Sequence, residues 1–500
     1  MKYHIPQEVQ TITQSLERAG FEAYIVGGCV RDLLRGVKPA DWDVTTNAKP
    51  DEIQQVMQKA GFKTFYENEF LTVGVVRMKE SISEKDAKEA PADVIEVTTY
   101  RAEAKYTDKR HPDVVNPATT LQEDLKRRDF TINAMAAKIA ANGVIEVIDR
   151  FDGQKDLQEN SIRAVGSSKE RFTEDALRLM RAVRFAAQLD FKIEKKTQES
   201  VKREAGLLRF IAKERIKDEF SKLLTSDKPS YGLELLWDLG LLLFIAPEIE
   251  EGFGVTQNKH HIYTVWEHNL RAVQHAAENK WSLEVRMAAL LHDVAKPRTK
   301  EGEGPDSTFY NHDVVGAKMA FELLARLRYP KRFCEKVAKL VRYHLFYYNV
   351  DEVTDSSVRR LMRKVGPEDM EDLIRVRMCD RIGSGVPKAE PYKLRHFRFM
   401  VEKLMRDPIT VRMLQASGKD VMEVGGIPSG PKVGFLLNIL LEEVLDDPKK
   451  NKRELLLKRI QALSVLPASE LKKLADSAKQ KSSALEEEQV QNIKKRHYVK

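Results

Sequence analysis

Cysteine is the scarcest informative residue in this chain. Only Cys29, Cys334 and Cys379 occur in 500 residues, scattered and outside any CxxC spacing. That excludes a disulfide-stapled scaffold and points to a reducing, cytoplasmic setting. Long apolar runs are missing too: the greasiest, LGLLLFIA at 239–246, is too short to span a bilayer. The opening MKYHIPQEVQ has no basic region followed by an apolar stretch, so neither a signal peptide nor a membrane segment is expected. No internal repeat is found. Charge, by contrast, is plentiful: 84 Lys and Arg against 76 Asp and Glu leave a net +8, with 32% of residues charged. The excess serves solubility and favours a polyanionic partner. A chain of this length has room for roughly three or four domains with cores of their own.

The first 150 residues alternate extended segments (AYIV, DWDVTT, LTVGVVRM, DVIEVTTYR, VIEVIDRF) with a helical PDEIQQVMQKAG, which predicts an α/β head over 1–150. Within it, KESISEKDAKEAP at 79–91 is charged and short of large apolar side chains, as in a solvated loop insertion. Beyond residue 160 apolar residues recur at three- and four-residue spacings, predicting an all-α remainder. Gly-rich EGFGVTQNK at 251–259 and SGVPKAEP at 384–391 divide it into helical regions at 151–250, 255–385 and 386–466. A charged extension, 467–500, ends in KKRHYVK and reads as a frayed helix or basic tail.

Chemistry concentrates in IVGGCVRDLLRGVKPADWDV, which begins at Ile25. A short apolar strand meets Gly27 and Gly28, where a phosphate can approach backbone without a Cβ in the way, and a helix opening with Arg31 and Asp32 follows. If ADWDVTT is a strand, its period of two projects Asp41 and Asp43 to the same side as a paired-carboxylate site for Mg²⁺. Phosphate cradle and metal site in this order suggest phosphoryl or nucleotidyl transfer. RRDFTINA at 127–134 places Arg127, Arg128, Asp129 and Asn133 before and within an expected small-residue helix, a group suited to a triphosphate and ribose. In EDALRLMRAVRF, Asp175 and Arg178 are spaced to share a helix face, continued by Arg181 and Arg184. An aspartate accepting from an exocyclic amine and an arginine donating to a ring nitrogen admit C and A and reject U and G. In KERIKDEFSKLL, Glu214, Arg215 and Glu219 are expected to brace the helix carrying Asp175.

IVGGCVRDLLRG with DWD, RRDFTINA, FDGQKDLQENSIRAVG, EDALRLMRAVRFA and ERIKDEF, in this order, resemble the bacterial and eukaryotic type of CCA-adding tRNA nucleotidyltransferases and bacterial poly(A) polymerases. The resemblance covers about half the chain. It implies a polymerase-beta-like nucleotidyltransferase head with a mixed sheet, a helical neck selecting CTP and ATP without a template, and helical body and tail regions holding tRNA. It implies that Asp41 and Asp43 bind Mg²⁺, with Glu96 of VIEVTTYR the weaker candidate for a third catalytic carboxylate. It further implies that Gly27, Gly28, Arg31 and Asp32 hold the triphosphate, that Arg128, Asp129 and Asn133 hold the sugar side, and that Asp175 and Arg178 hold the base edge. YTDKRHPDVV at 106–115 resembles the flexible loop of members that add the terminal A, whereas FLTVGVVRM departs from the HGTV-like run common in the family.

From residue 260 onward a second chemistry appears: His268 in TVWEHNLRA, His292 and Asp293 in ALLHDVAKP, and Asp380 in RMCDRIGSG. The set resembles the HD superfamily of metal-dependent phosphohydrolases, with His312 and His344 matching positions that supply a second metal in some members. It implies a divalent transition metal in the 255–385 domain; His260 and His261 have no spacing that assigns them a role. PYKLRHFRFMVEKLMRD sets Lys393, Arg395, Arg398, Lys403 and Arg406 on an expected helix, as for phosphate contact on tRNA. The expected activity is Mg²⁺-dependent addition of C, C and A to tRNA from CTP and ATP. Poly(A) addition or A-only addition is the near alternative, and an HD phosphohydrolase with an RNA-binding head the distant one. The oligomeric state is not legible in the sequence.

Overall fold

The computed structural model describes residues 3–67, 71–76, 94–102, 118–140, 144–258, 262–350, 352–405, 414–477 and 497–498. The expected insertion KESISEKDAKEAP, the loop YTDKRHPDVV, and His260 and His261 lie outside the described residues. The chain forms two compact units: Met1–Arg342 with Ile382–Gly385, and Tyr343–Arg381 with Val386–Lys500.

The first unit opens with a seven-stranded mixed sheet: β1 (Ala23–Val26), β2 (Asp43–Thr46), β3 (Lys63–Glu67), β4 (Thr72–Val76), β5 (Val94–Thr99), β6 (Met135–Ile139) and β7 (Ile145–Asp149). The strand order is β3-β4-β5-β2-β1-β6-β7, with β2 and β5 parallel and the other neighbours antiparallel. Side chains alternate across the strands, so Val44 and Val97, paired in register, enter the core while their neighbours Asp43 and Glu96 share the opposite face. Helices Gln7–Arg18 and Pro50–Lys59 close the core face with Val9, Ile12, Leu16, Ile53 and Met57. The second of these starts at a proline, where the missing N–H costs nothing, and the Glu52 carboxylate accepts from the Lys49 backbone N–H at 2.7 Å. On the other face, helix Leu121–Lys126 begins at a Thr120/Glu123 capping box, and its Leu125 packs on Val26 and Ala136.

Two local expectations fail. Strand β2 begins only at Asp43, and Asp41 sits in the preceding bend. RRDFTINA makes no helix: Thr131–Asn133 form one 3₁₀ turn before β6, because Met135, Ala136 and Ala137 are buried sheet residues, so tertiary burial overrides the helix preference of small side chains.

The neck is helical as expected. Leu177–Leu189 and Lys213–Leu224 bury Leu179, Val183, Ile216 and Phe220. Helix Pro229–Asp238 approaches closely through Gly232, where a Cβ would stand 2.9 Å from Leu223 and 3.1 Å from Ala187. In the second unit, helices Gly418–Gly425, Pro431–Asp446 and Arg453–Ser464 enclose a core of Val421, Leu436, Leu440 and Ile460. No helix among the described residues is long and apolar enough to cross a membrane.

Candidate active site

Strand β1 ends in a turn at Gly27, whose φ of +82° is a conformation that disfavours residues with a Cβ. A Cβ there would lie 3.0 Å from an Arg128 guanidinium nitrogen and 3.8 Å from the Asp43 carboxylate. The glycine is therefore the floor against which one carboxylate and one cation meet. Asp43 pairs in register with Glu96 on the parallel neighbour, so both carboxylates rise from one face, and Asp41 precedes them in its exposed bend. Burial raises the Asp43 pKa; Arg128 opposes the shift and the Asp41 charge adds to it. This oxygen-only donor set suits a hard divalent cation, which would relieve the repulsion between Asp41 and Asp43.

The arginines around this edge are fixed by neighbouring acids. Arg31 donates to both oxygens of Asp32, at 2.9 and 3.0 Å, and to Asn133 Oδ1 at 2.9 Å. Arg128 donates to Asp124 at 3.2 Å, and Arg127 donates to the same carboxylate at 2.6 Å. Asp124 also accepts from Thr45 and the Arg101 backbone N–H. Its complete burial disfavours the charge, yet Arg128 and Arg127 outweigh that and draw its pKa down to about 2. Asp129 is likewise brought to about 2: desolvation is overcome by Arg181 and Arg178, with Arg181 at 2.6 Å. Asn133 reaches the other Asp129 oxygen at 3.4 Å, which links the cradle to the neck. Glu219 ties Arg184 at 2.6 Å, and the Arg184 guanidinium lies 4.0 Å from the Phe185 ring centre.

Asp175 and Arg178 do not share a continuous helix. Asp175 has extended backbone between helices Ser168–Glu174 and Leu177–Leu189, and its carboxylate accepts from the Leu177 N–H at 3.1 Å, capping the second helix. It also takes two bonds from Arg215, at 2.7 and 3.1 Å. Arg178 is held by Glu174 at 2.8 Å and by the Arg127 carbonyl at 2.9 Å. The expected bracing by Arg215 and Glu219 is present, whereas Glu214 is exposed and its carboxylate lies 3.9 Å from the exposed Arg328.

Asp124 and Lys296 escaped sequence reasoning. The signal for Asp124 was its place four residues before Arg128; the signal for Lys296 was its place three after Asp293.

In the helical region, His268 on helix Val265–Glu278, His292 at the end of Leu283–Leu291, and Asp293 converge. His268 Nε2 is 2.8 Å from His292 Nε2 and 3.1 Å from Asp293. These three offer donor atoms within 4.8 Å of one another, and no such group occurs in the head among the described residues. His292 Nδ1 donates to the Ala289 carbonyl at 2.8 Å and His312 Nδ1 to Phe309 at 2.6 Å, leaving each Nε2 as the ligand-capable nitrogen. His312 Nε2 points at Asp293 from 3.4 Å. Burial disfavours the Asp293 charge, but His292 and Lys296, the latter at 2.6 Å, hold its pKa well below the usual range. Burial lowers the His268 pKa, against the pull of Asp293. In the second unit, Asp380 on helix Met370–Gly383 accepts from Arg377 at 2.6 Å, and His344 is buried just after helix Lys331–Tyr343.

Three family profiles match in this order: the poly A polymerase head domain at 23–163, the probable RNA and SrmB-binding site of polymerase A at 190–253, and the HD domain at 265–382. Fold and site together define a nucleotidyltransferase carrying an HD domain. The A-adding tRNA nucleotidyltransferase of Deinococcus radiodurans is 34% identical over 436 residues, 84% of this chain and 91% of that protein. The CCA-adding enzyme of Ligilactobacillus salivarius is 30% identical over 464 residues, 92% and 98% of the two chains. The chain belongs to the family of CCA-adding and A-adding tRNA nucleotidyltransferases. Other matched CCA-adding enzymes, 43–44% identical, are spanned over a little more than half their own length, for instance 56% or 51%. The crystal structure of the Bacillus stearothermophilus CCA-adding enzyme in complex with CTP superposes with a TM-score of 0.59 at 26% identity, covering 92% of this chain and 98% of that one.

Proposed function

We propose that the chain adds C, C and A to the 3′ end of tRNA, using CTP and ATP without a nucleic-acid template, in the cytoplasm. The observation that carries this reading is the placement of Asp43 and Glu96 in register on neighbouring strands, with Gly27 beneath and Arg128 alongside. Asp41, Asp43 and Glu96 would hold Mg²⁺, which when bound lowers the pKa of the RNA 3′-hydroxyl and neutralises charge on the leaving pyrophosphate. Gly27 leaves room for the triphosphate to reach backbone, while Arg31 and Arg128, pre-oriented by Asp32, Asn133 and Asp124, supply positive charge along it. Asp129 and Asn133 face the sugar. Asp175, held by Arg215, accepts from the exocyclic amine of C or A, and Arg178 donates to the ring nitrogen; Arg181 and Arg184 steady that wall. The near-complete coverage of the Ligilactobacillus CCA-adding enzyme supports full CCA addition, and the loop YTDKRHPDVV supports the terminal A step.

The alignment with the Deinococcus A-adding enzyme favours a second reading, addition of A alone to tRNA already ending in CC. A tRNA transcript lacking CCA, incubated with Mg²⁺ and the four nucleotides singly and together, separates them. Two C and one A followed by a stop is the expected product. Extension only of transcripts ending in CC would establish A-only addition, and long A tails would replace both readings with poly(A) synthesis. The His268, His292, Asp293 group, with His312 beside it, further supports a divalent transition metal in the HD domain and hydrolysis of phosphate esters there.

A further inference from the structure

The second unit contains a cavity of about 180 Å³ that the nucleotidyl-transfer site does not use. It is lined by the aromatic Phe346, Tyr347 and Tyr348 and by the cationic Arg377, Arg381 and Lys393. Alternation along the extended segment after His344 buries part of Phe346 and Tyr348 and turns Tyr347 out, 69% exposed. The inward pair is anchored: Phe346 stacks on Phe397 at 4.5 Å, and Tyr348 packs edge-on to Phe397 at 4.9 Å while its hydroxyl meets His396 Nδ1 at 2.5 Å. Tyr347 is steadied through its hydroxyl, which bonds to Glu352 and accepts from Asn349 at 2.6 Å. The exposed ring is therefore held in place before any ligand arrives.

The cations are differently committed. Arg377 donates to Asp380. Arg381 spends its donors on the Lys388 carbonyl at 3.3 Å, and Lys393 bonds the Asn349 amide oxygen. Among the described residues, neither Arg381 nor Lys393 lies within ion-pair distance of a carboxylate. Arg377 and Arg381 lie one turn apart on their helix, and the Asp380 carboxylate bonds Arg377 and acts electrostatically on Arg381. Arg381 and Lys393, which form no ion pair among the described residues, are the cations that a bound anion would complement. A cavity this small, below the usual few hundred Å³ of a small-molecule site, admits one ring or one phosphate of a larger ligand.

We infer that this cavity binds an unpaired nucleotide of the RNA substrate, its phosphate on Arg381 and Lys393 and its base stacked on Tyr347. Stacking on an aromatic ring beside a backbone-tracking cation is the arrangement by which proteins hold single-stranded RNA. The inference rests on the tRNA reading above, and a free nucleotide is the other source of the same chemistry. Three variants test it in the full-length protein: Arg381→Gln with Lys393→Gln, Tyr347→Ala, and Tyr347→Phe. The probes are a tRNA transcript lacking CCA and, separately, AMP and CMP. The charge variant should weaken tRNA binding about tenfold and flatten its salt dependence by roughly one to two ions, with KM for CTP unchanged. Tyr347→Ala should weaken binding about fivefold, while Tyr347→Phe, which keeps the ring and loses only the hydroxyl that steadies it, should weaken binding by no more than about twofold.

Wild-type tRNA affinity in the charge variant, with thermal melting unchanged and tRNA still extended, would overturn the inference and leave the tRNA reading standing. Equal weakening by Tyr347→Phe and Tyr347→Ala would overturn the stacking role. Loss of AMP or CMP binding without loss of tRNA affinity would overturn the RNA source. A parent protein that neither binds nor extends tRNA would instead remove the reading on which the inference rests.

Discussion

At the head, Asp41 lies in an exposed bend and Glu96 on the outer face of its strand, whereas His268, His292 and Asp293 are at most 1% exposed. Solvated carboxylates tolerate an open geometry, because water screens their repulsion until a cation arrives. Buried groups have no such screening. Asp293 stays charged beside His292 and Lys296, and the His292 and His312 imidazoles are oriented by backbone carbonyls that select their tautomers. On the proposed reading, one site admits a bulky nucleotide and releases its products, and the other would hold a small ion that need not exchange with each turnover. If that contrast holds, damage to either site should leave the other working.

The largest effect is expected at the open site. Asp41→Ala with Asp43→Ala should lower nucleotide incorporation by about 10³-fold or more, since both metal ligation and charge stabilisation are lost. Metal content in the HD domain, read by mass spectrometry, should be unchanged. His292→Ala with Asp293→Ala should do the reverse: bound transition metal falls below about a tenth of the parent value, while incorporation stays within about twofold. A joint loss of both readouts in either variant would show that the two sites are coupled.

A second comparison sets Asp43, the proposed metal ligand, against Asp124, which is held by Arg127, Arg128, Thr45 and the Arg101 backbone N–H. Asp124→Ala leaves Arg127 and Arg128 beside a hole where a fully buried carboxylate stood. It should cost about 3 kcal/mol of stability by urea denaturation and also reduce incorporation. The pH dependence follows with definite sign. Asp124 and Asp129 have folded pKa values of about 2, below the ordinary 3.8, so their contribution is present above the ordinary value and is lost as pH falls from about 5 toward 2. Each is worth about 2 kcal/mol on that scale. Denaturation midpoints at pH 6 and pH 3 should differ, and Asp124→Asn should narrow the difference.

Legibility in the sequence tracked distance along the chain. The Gly27 turn, Arg31 with Asp32, and the Asp41, Asp43 pair are spelled within one local run, and period-two alternation already put Glu96 on a strand. Asp124 was missed because its partners Thr45 and Arg101 are brought to it by the sheet, 79 and 23 residues away. The break at Asp175 was missed for another reason: helical spacing persists on both sides of it, and nothing in EDALRL marks a cap until Asp175 is seen accepting from Leu177. The Arg31 to Asn133 bond, 102 residues apart, shows why residue types can nominate a cradle and only the fold can assemble it.

The smallest predicted effect separates reading from bracing at the neck. Asp175 already receives two bonds from Arg215, so it is held in one orientation before a base arrives. Arg215→Ala removes the clamp without touching the proposed base contacts. The freed carboxylate can then swing, and rejection of UTP and GTP should weaken by about tenfold, roughly 1.4 kcal/mol. The measurement is the ratio of kcat/KM for CTP to that for UTP on a transcript lacking CCA. A purely structural role for Arg215 would lower both rates together and leave their ratio where it was, so the ratio, and not the rate, decides whether Asp175 selects the base.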